Sequence, residues 1–125
     1  MKNANISPAN GRLGILIVGN GAVATTFITG VLLARRGLGK PIGSMTQYDR
    51  VRVKSQGSEA EGQGSRRYLK YDELVPLARL DDLVFGCWDV YPQNAYQAAV
   101  YADVLRREDI DQVRDELEQI VPMKA

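Results

Sequence analysis

The sequence predicts an α/β fold with a parallel sheet, and three observations predict it. Leu13-Gly14-Ile15-Leu16-Ile17-Val18 is a continuous apolar run rich in β-branched residues, the pattern of a strand buried on both faces. It stops at Gly19-Asn20-Gly21, and a helical apolar periodicity then runs from Ala22 to Arg36. A second apolar run, Leu83-Val84-Phe85-Gly86-Cys87-Trp88, again precedes helical patterning. Strands alternating with helices are the mark of βαβ units.

Taken in order, residues 1–12 are polar, hold Pro8 and Gly11, and read as a flexible lead-in to a domain over 13–125. In the first helix Phe27, Val31 and Ala34 recur at spacings of four and three, with Val23 and Leu32 or Leu33 beside them. Arg35 and Arg36 place positive charge in its last turn, and Gly37 is a natural terminator. Residues 37–67 form a long insertion with six glycines and Pro41, in which only Tyr48 to Val53 alternates like an exposed strand. Order is expected to be poor in part of 54–67. Tyr71 to Leu80 allows one or two helical turns, limited by Pro76.

The second strand ends at Asp89, and Pro92 suits the first turn of a helix reaching about Arg106. Tyr96, Ala99, Val100 and Val104 would share its inner face. A further helix is expected from Asp109 to Ile120, with Ile110, Val113, Leu117 and Ile120 inward and Asp109 as cap, Gln112 lying three residues on. Pro122 ends it, and another strand is expected beyond. Two strands make an incomplete sheet, so the chain reads as the front part of a larger α/β protein. Open sheet edges would favour association of the isolated chain.

Composition excludes several functions. The length of 125 residues suits one domain, and no repeat of 20–50 residues is visible. No apolar run approaches the roughly 18 residues of a membrane span, and the start has no secretory h-region. One cysteine, Cys87, excludes an intrachain disulfide framework and a multi-cysteine zinc site. The absence of histidine removes His-dependent triads, metal sites and proton shuttles. A net charge of +1 gives no bulk case for nucleic acid. Charge is uneven: residues 35–79 hold ten Lys/Arg against five Asp/Glu, and residues 103–118 hold seven Asp/Glu against three Arg. Solvated faces of opposite sign explain this, and the basic stretch alternatively meets a phosphorylated ligand.

The chemistry is carried by Gly19-Asn20-Gly21-Ala22-Val23-Ala24, which matches G-x-G-x-x-G/A between a strand and a helix. Gly19 permits the tight turn, Gly21 lets the backbone approach a pyrophosphate, and Ala24 lets the helix pack closely. Free N–H groups at the helix start, with Thr25 and Thr26 nearby, favour an anion. The alternative is a plain strand–helix turn. The usual acid about 20 residues on is missing, because that region is Pro41-Ile42-Gly43-Ser44. The next acid at a strand end is Asp89, either a ribose ligand beyond a long insertion or the N-cap of the Pro92 helix. As a ribose ligand it would repel a 2′-phosphate and prefer NAD to NADP.

Other candidates carry less. Gly37-Leu38-Gly39-Lys40 fails as a phosphate loop, since residue 34 is Ala and Pro41 replaces the magnesium-binding hydroxyl. It reads as a helix end and turn. Lys40 and Lys54 are surface lysines that could alternatively meet a substrate phosphate. Cys87 reads as a buried hydrophobe, Trp88 as core, and Tyr91, Tyr96 and Tyr101 as a packed face.

Three separated stretches resemble the myo-inositol-phosphate synthase family. They are Val18-Gly19-Asn20-Gly21-Ala22-Val23-Ala24-Thr25-Thr26, Gly43-Ser44-Met45-Thr46-Gln47, and Val84-Phe85-Gly86-Cys87-Trp88-Asp89-Val90. The resemblance covers about residues 13–121. It implies the amino-terminal part of a Rossmann-like NAD-binding domain in a cytoplasmic, tetrameric enzyme of inositol and phospholipid biosynthesis. Such enzymes convert D-glucose 6-phosphate to 1D-myo-inositol 3-phosphate by oxidation at C5, enolisation, aldol closure and reduction, a net isomerisation. By the same resemblance Gly19, Asn20, Gly21, Ala22, Val23, Ala24 and Thr25 would line the pyrophosphate and ribose. Asp89 would face the adenosine side, and Ser44 to Gln47 would lie near the cofactor pocket. Many members carry Asn-Asn-Gly where this chain has Val23-Ala24. The family's catalytic lysines and tetramerising sheet have no counterpart in these residues, so no catalytic residue and no metal ligand is expected, and the chain alone should be inactive. The competing readings are a fragment of another NAD-dependent oxidoreductase and a non-catalytic nucleotide-binding product.

Overall fold

The computed structural model describes residues 11–48, 50–53 and 67–125. They fall into two compact units, one carried by Pro41–Leu77 and the other by Asn10–Lys40 with Ala78–Ala125.

The larger unit opens with β1 (Leu13–Val18) and α1 (Ala22–Arg35). A 3-10 turn (Leu80–Asp82) leads into β4 (Leu83–Asp89); β2 (Arg50–Val53) and β3 (Arg67–Lys70) belong to the smaller unit. Next come α4 (Ala95–Ala102), α5 (Arg107–Asp111), α6 (Arg114–Gln119) and β5 (Met123–Lys124). The sheet order is β1-β4-β5, and both pairings are parallel. Register runs from Leu13 opposite Leu83 to Val18 opposite Trp88, so the strands end together. The expected strand after Pro122 is therefore β5, two residues long.

The helices cover one face of this sheet. Ile28, Leu32, Ala95, Tyr96, Ala99, Ile110, Val113 and Leu117 form the core, and Ile17 and Phe85 of the strands pack against it. On the other face Leu16, Val18 and Val84 stay exposed. The inner stripe of α1 is Ala24, Thr25, Ile28, Thr29, Val31 and Leu32. This corrects the expected face: Val31 is buried, but Val23 and Phe27 are exposed. The short Ala24 and Thr25 lie on the inner side, which turns Val23 outward, while Phe27 meets Phe85 edge to face at 5.6 Å.

The end of α1 follows the sequence. Gly37 has φ +69°, its N–H donates to Ala34 O, and the Leu38 N–H donates to Leu33 O, a Schellman ending. The Gly37–Lys40 segment is thus the helix end and turn that was expected. Arg35 donates to the carbonyls of Leu80 (2.8 Å) and Leu83, and so ties this end to the start of β4.

The carboxyl-terminal helices differ from expectation. Helix α4 begins at Ala95, because Asn94 Oδ1 accepts the Gln97 N–H and Gln97 Oε1 accepts the Asn94 N–H, a reciprocal cap. Pro92 lies ahead of it. Asp103 at φ +50° ends it, so Val104 is exposed rather than inward. The single helix expected over 109–120 is two, α5 and α6, separated at Gln112 and Val113. Its inner face is nevertheless Ile110, Val113 and Leu117, as the spacing predicts. Asp109 does not cap with its side chain; it takes the Arg106 guanidinium at 3.0 Å. Of the three tyrosines expected to pack together, only Tyr96 is buried, while Tyr91 and Tyr101 are exposed. Its hydroxyl donates to Asp111 at 2.8 Å, and the guanidinium groups of Arg107 and Arg114 lie 5.2 and 4.7 Å from its ring centre. Much of the acidic segment is internally paired, with Arg36 also reaching Asp115 at 2.7 Å.

The smaller unit holds α2 (Met45–Tyr48), β2 (Arg50–Val53), β3 (Arg67–Lys70) and α3 (Tyr71–Leu74). Strands β2 and β3 pair antiparallel, from Arg50 opposite Lys70 to Val53 opposite Arg67. Of the alternating Tyr48–Val53 run, Arg50–Val53 is a strand while Tyr48 ends α2, and no sequence signal marks the partner strand β3. Of the stretch expected to be poorly ordered, residues 54–66 and with them Lys54 lie outside the described residues, and Arg67 begins β3. Helix α3 is one turn, followed by extended Val75 before Pro76.

Candidate functional site

The parallel register brings the end of β1 beside the end of β4, and the residues that follow meet there. The Gly19 N–H donates to Trp88 O at 2.8 Å, one further rung of the ladder. Gly19 has φ +90°, a conformation side chains rarely adopt, and this lets the chain leave the sheet for α1. Gly21 is the N-cap of α1 at φ −87°, ψ −164°, with no side-chain cap and no acid in the first turn. The first-turn amides of Ala22, Val23 and Ala24 have no carbonyl within the helix to bond, and the first turn itself carries no acid against the positive end of the helix. A Cβ added at Gly21 would meet nothing within 4 Å.

Asp89 stands at the carboxyl end of β4, the strand next to β1. Its Oδ2 accepts the Asn20 N–H at 2.6 Å and its Oδ1 accepts the Tyr91 N–H at 3.0 Å. These amides, Tyr91 first, hold its carboxyl below the usual Asp range. The cap of α4 is Asn94, so Asp89 is not the N-cap of that helix. Asn20 is 4 % exposed, and among the described residues neither its Nδ2 nor its Oδ1 finds a partner.

Gly19, Asn20, Gly21, Ala22, Val23 and Asp89 therefore gather at one end of the sheet. Ala24 and Thr25 lie on the buried side of α1. The Thr25 N–H and hydroxyl both reach Gly21 O, each at 3.0 Å, which commits its donors within the turn. Cys87 is the fully buried hydrophobe expected, its thiol raised by burial and then by the Asp89 charge. Ser44 to Gln47 belong to the smaller unit. Lys40 is exposed. The sequence reading missed the backbone partners, Trp88 O and the Tyr91 N–H. No residue type signals them, and only the strand register locates them.

A parallel strand, a glycine turn feeding a long helix, and an acid at the end of the neighbouring strand define a Rossmann-like dinucleotide-binding domain. Residues 13–125 match the family model described as myo-inositol-1-phosphate synthase. The chain belongs to the myo-inositol-1-phosphate synthase family. The matched model is that of its NAD-binding domain, and NAD is the cofactor. The open space at Gly21, the helix start without a side-chain cap and the Asn20 carboxamide, unpartnered among the described residues, fit such a group.

The chain is 50 % identical over 121 residues to inositol-3-phosphate synthase 1 of Bacteroides thetaiotaomicron, covering 96 % of this chain and 26 % of the relative. It is 33 % identical over 126 residues to inositol-3-phosphate synthase 1 of rice, Oryza sativa subsp. japonica, covering 90 % of this chain and 23 % of that one. The crystal structure of inositol-3-phosphate synthase from Caenorhabditis elegans superposes with a TM-score of 0.73 at 23 % identity, over 94 % of this chain and 24 % of that one. That likeness shows the fold. The chain spans about a quarter of the length of these relatives.

Proposed function

We propose that this chain is the NAD-binding portion of an inositol-3-phosphate synthase, whose reaction turns D-glucose 6-phosphate into 1D-myo-inositol 3-phosphate, a net isomerisation. The observation that supports it is the glycine turn lying against an acid at the end of the next parallel strand. When bound, NAD would supply a hydride acceptor for the oxidation and return the hydride in the reduction that follows ring closure, so the cofactor is regenerated within one turnover.

The chain's own residues bind and orient. Gly21 leaves room for a pyrophosphate against the backbone, and the amides of Ala22, Val23 and Ala24 meet its charge. Ala24 and Thr25 hold the helix start in place from beneath. Asp89, ionised at neutral pH, offers its remaining lone pairs to a ribose hydroxyl and repels a 2′-phosphate, which favours NAD over NADP. No residue here is given a part in the bond-making steps. The chain by itself is expected to leave glucose 6-phosphate unchanged. The complete enzyme is proposed to be a cytoplasmic homotetramer, on the family resemblance alone.

Equilibrium binding of NAD and NADP to the chain tests the reading. NAD should bind, and NADP should bind at least about tenfold more weakly, the ratio for one unfavourable charge contact of ~1.4 kcal/mol. Equal affinity for both would remove Asp89 from the ribose, and no binding of either would remove the turn as a cofactor site.

A further inference from the structure

We propose that Asp89 is a positioning residue for the glycine turn: its carboxylate clamps the Asn20 amide, so that a bound pyrophosphate falls to the amides of the first turn of α1. The inference rests on reading the turn as the NAD site, and adds a task beyond contact with a ribose.

The β1–β4 ladder supplies backbone acceptors only as far as Trp88 O, which takes the Gly19 N–H. The next amide along, that of Asn20, has no backbone acceptor on β4. Asp89 Oδ2 takes its place at 2.6 Å, tying together residues 69 apart in sequence. The other oxygen, Oδ1, accepts the Tyr91 N–H at 3.0 Å, which fixes the rotation of the carboxyl group. A carboxylate is required, because both of its oxygens accept. An Asn in its place offers one acceptor and turns an NH2 group towards a second N–H.

The turn needs such a clamp. Gly19 takes φ +90° at little cost, but the Asn20 carboxamide is buried with both polar atoms unpartnered among the described residues, a cost that the clamp offsets. With Gly19 and Asn20 both donating to β4, their amides are withdrawn from any ligand. The amides left at the turn are those leading into α1, beside the open space at Gly21.

Two measurements test the clamp. The first is hydrogen exchange of the cofactor-free chain, followed amide by amide. The Asn20 and Tyr91 amides should exchange slowly in the unmodified chain. In Asp89→Asn the Asn20 amide should quicken at least about tenfold, for loss of a hydrogen bond to a charged group. The Cys87 amide within β4 should not change, which separates a local release from general destabilisation. The second measurement binds NAD and its analogue lacking both hydroxyls of the adenosine ribose. A residue that only holds the ribose loses its effect on the analogue. A clamp does not, so Asp89→Asn should still weaken the analogue severalfold. Fast Asn20 exchange in the unmodified chain, or equal affinity of parent and variant for the analogue, overturns the proposal. If the variant fails to fold, exchange in the unmodified chain decides. If the unmodified chain binds neither dinucleotide, the NAD reading falls, and the exchange result still decides the clamp.

Discussion

Replacing Gly21 by valine separates the cofactor site from the fold. Gly21 sits at φ −87°, ψ −164°, a region open to any residue. A Cβ there meets nothing within 4 Å, so valine introduces no clash. Valine is a poorer N-cap than glycine, by up to about 1 kcal/mol. Against this, loss of glycine's freedom in the unfolded chain contributes roughly 0.4–1 kcal/mol. The two nearly offset. An unfolding entropy of about 2.1 cal/mol/K per residue, applied to 125 residues, converts a residual of about 1 kcal/mol into about 4 °C of Tm. Binding should respond very differently. The branched side chain fills the space where a pyrophosphate would approach, an overpacking of about 1–3 kcal/mol. It also displaces at least one charge-assisted hydrogen bond, about 1.5–3 kcal/mol. The sum of about 2.5–6 kcal/mol predicts a loss in NAD affinity of at least roughly 70-fold. Calorimetric titration with NAD, beside thermal melts followed by circular dichroism, reads both quantities. A Gly21→Val chain that binds NAD within about threefold of the parent refutes the close-approach argument. One that melts more than about 10 °C lower refutes the claim that the space is free.

Gly19→Ala should behave in the opposite way: φ +90° strains any side chain by about 1–3 kcal/mol, so Tm falls by about 4–11 °C in a melt without cofactor. Thr29→Val should raise stability by about 1 kcal/mol in denaturant titration, because the Thr29 hydroxyl is fully buried without a partner among the described residues, and a loss of stability would show that it has one. Acid should destabilise the chain. The carboxyl of Asp89 is lowered by the Tyr91 and Asn20 amides, that of Asp111 by the Tyr96 hydroxyl, and that of Asp115 by Arg36. Groups lowered in the folded state contribute stability above the unfolded value of about 3.9, and it is lost as pH falls through their lower folded values. Denaturant midpoints should therefore be flat above about pH 5 and fall below about pH 4, and a midpoint unchanged at pH 3 would contradict the pairing.

What the sequence made legible was local. The Leu13–Val18 strand, the glycine turn and the start and end of α1 each depend on residues within a few positions, and each stands where the pattern puts it. The inner face of 109–120 was also readable, since Ile110, Val113 and Leu117 keep their spacing across the break between α5 and α6. Pairing across long separations was not readable. Nothing in Arg67–Lys70 announces a partner for Arg50–Val53, and the Asn20–Asp89 contact needs the register of two strands. Capping misled where two choices competed. Pro92 is a good first-turn residue, but Asn94 and Gln97 satisfy each other's amides, and the reciprocal pair sets the start of α4.

The first strand carries one further argument. A sheet covered on one face writes alternation into its strands, apolar inward and polar outward. Leu13–Val18 has no such alternation, yet in the structure Ile15 and Ile17 are half-buried while Leu16 and Val18 are exposed. In β4 the same face carries exposed Val84, and Gly86, where an added Cβ would come within 3.0 Å of the Leu16 side chain. These are residues composed for contact, not for water, in the arrangement of a sheet with helices on both sides. The glycine turn and Asp89 lie at the carboxyl end of those same strands, where open α/β sheets take their ligands. Strand composition and site position thus point to one architecture by independent routes: hydrophobic burial fixes the sheet, and hydrogen bonding at its end fixes the site.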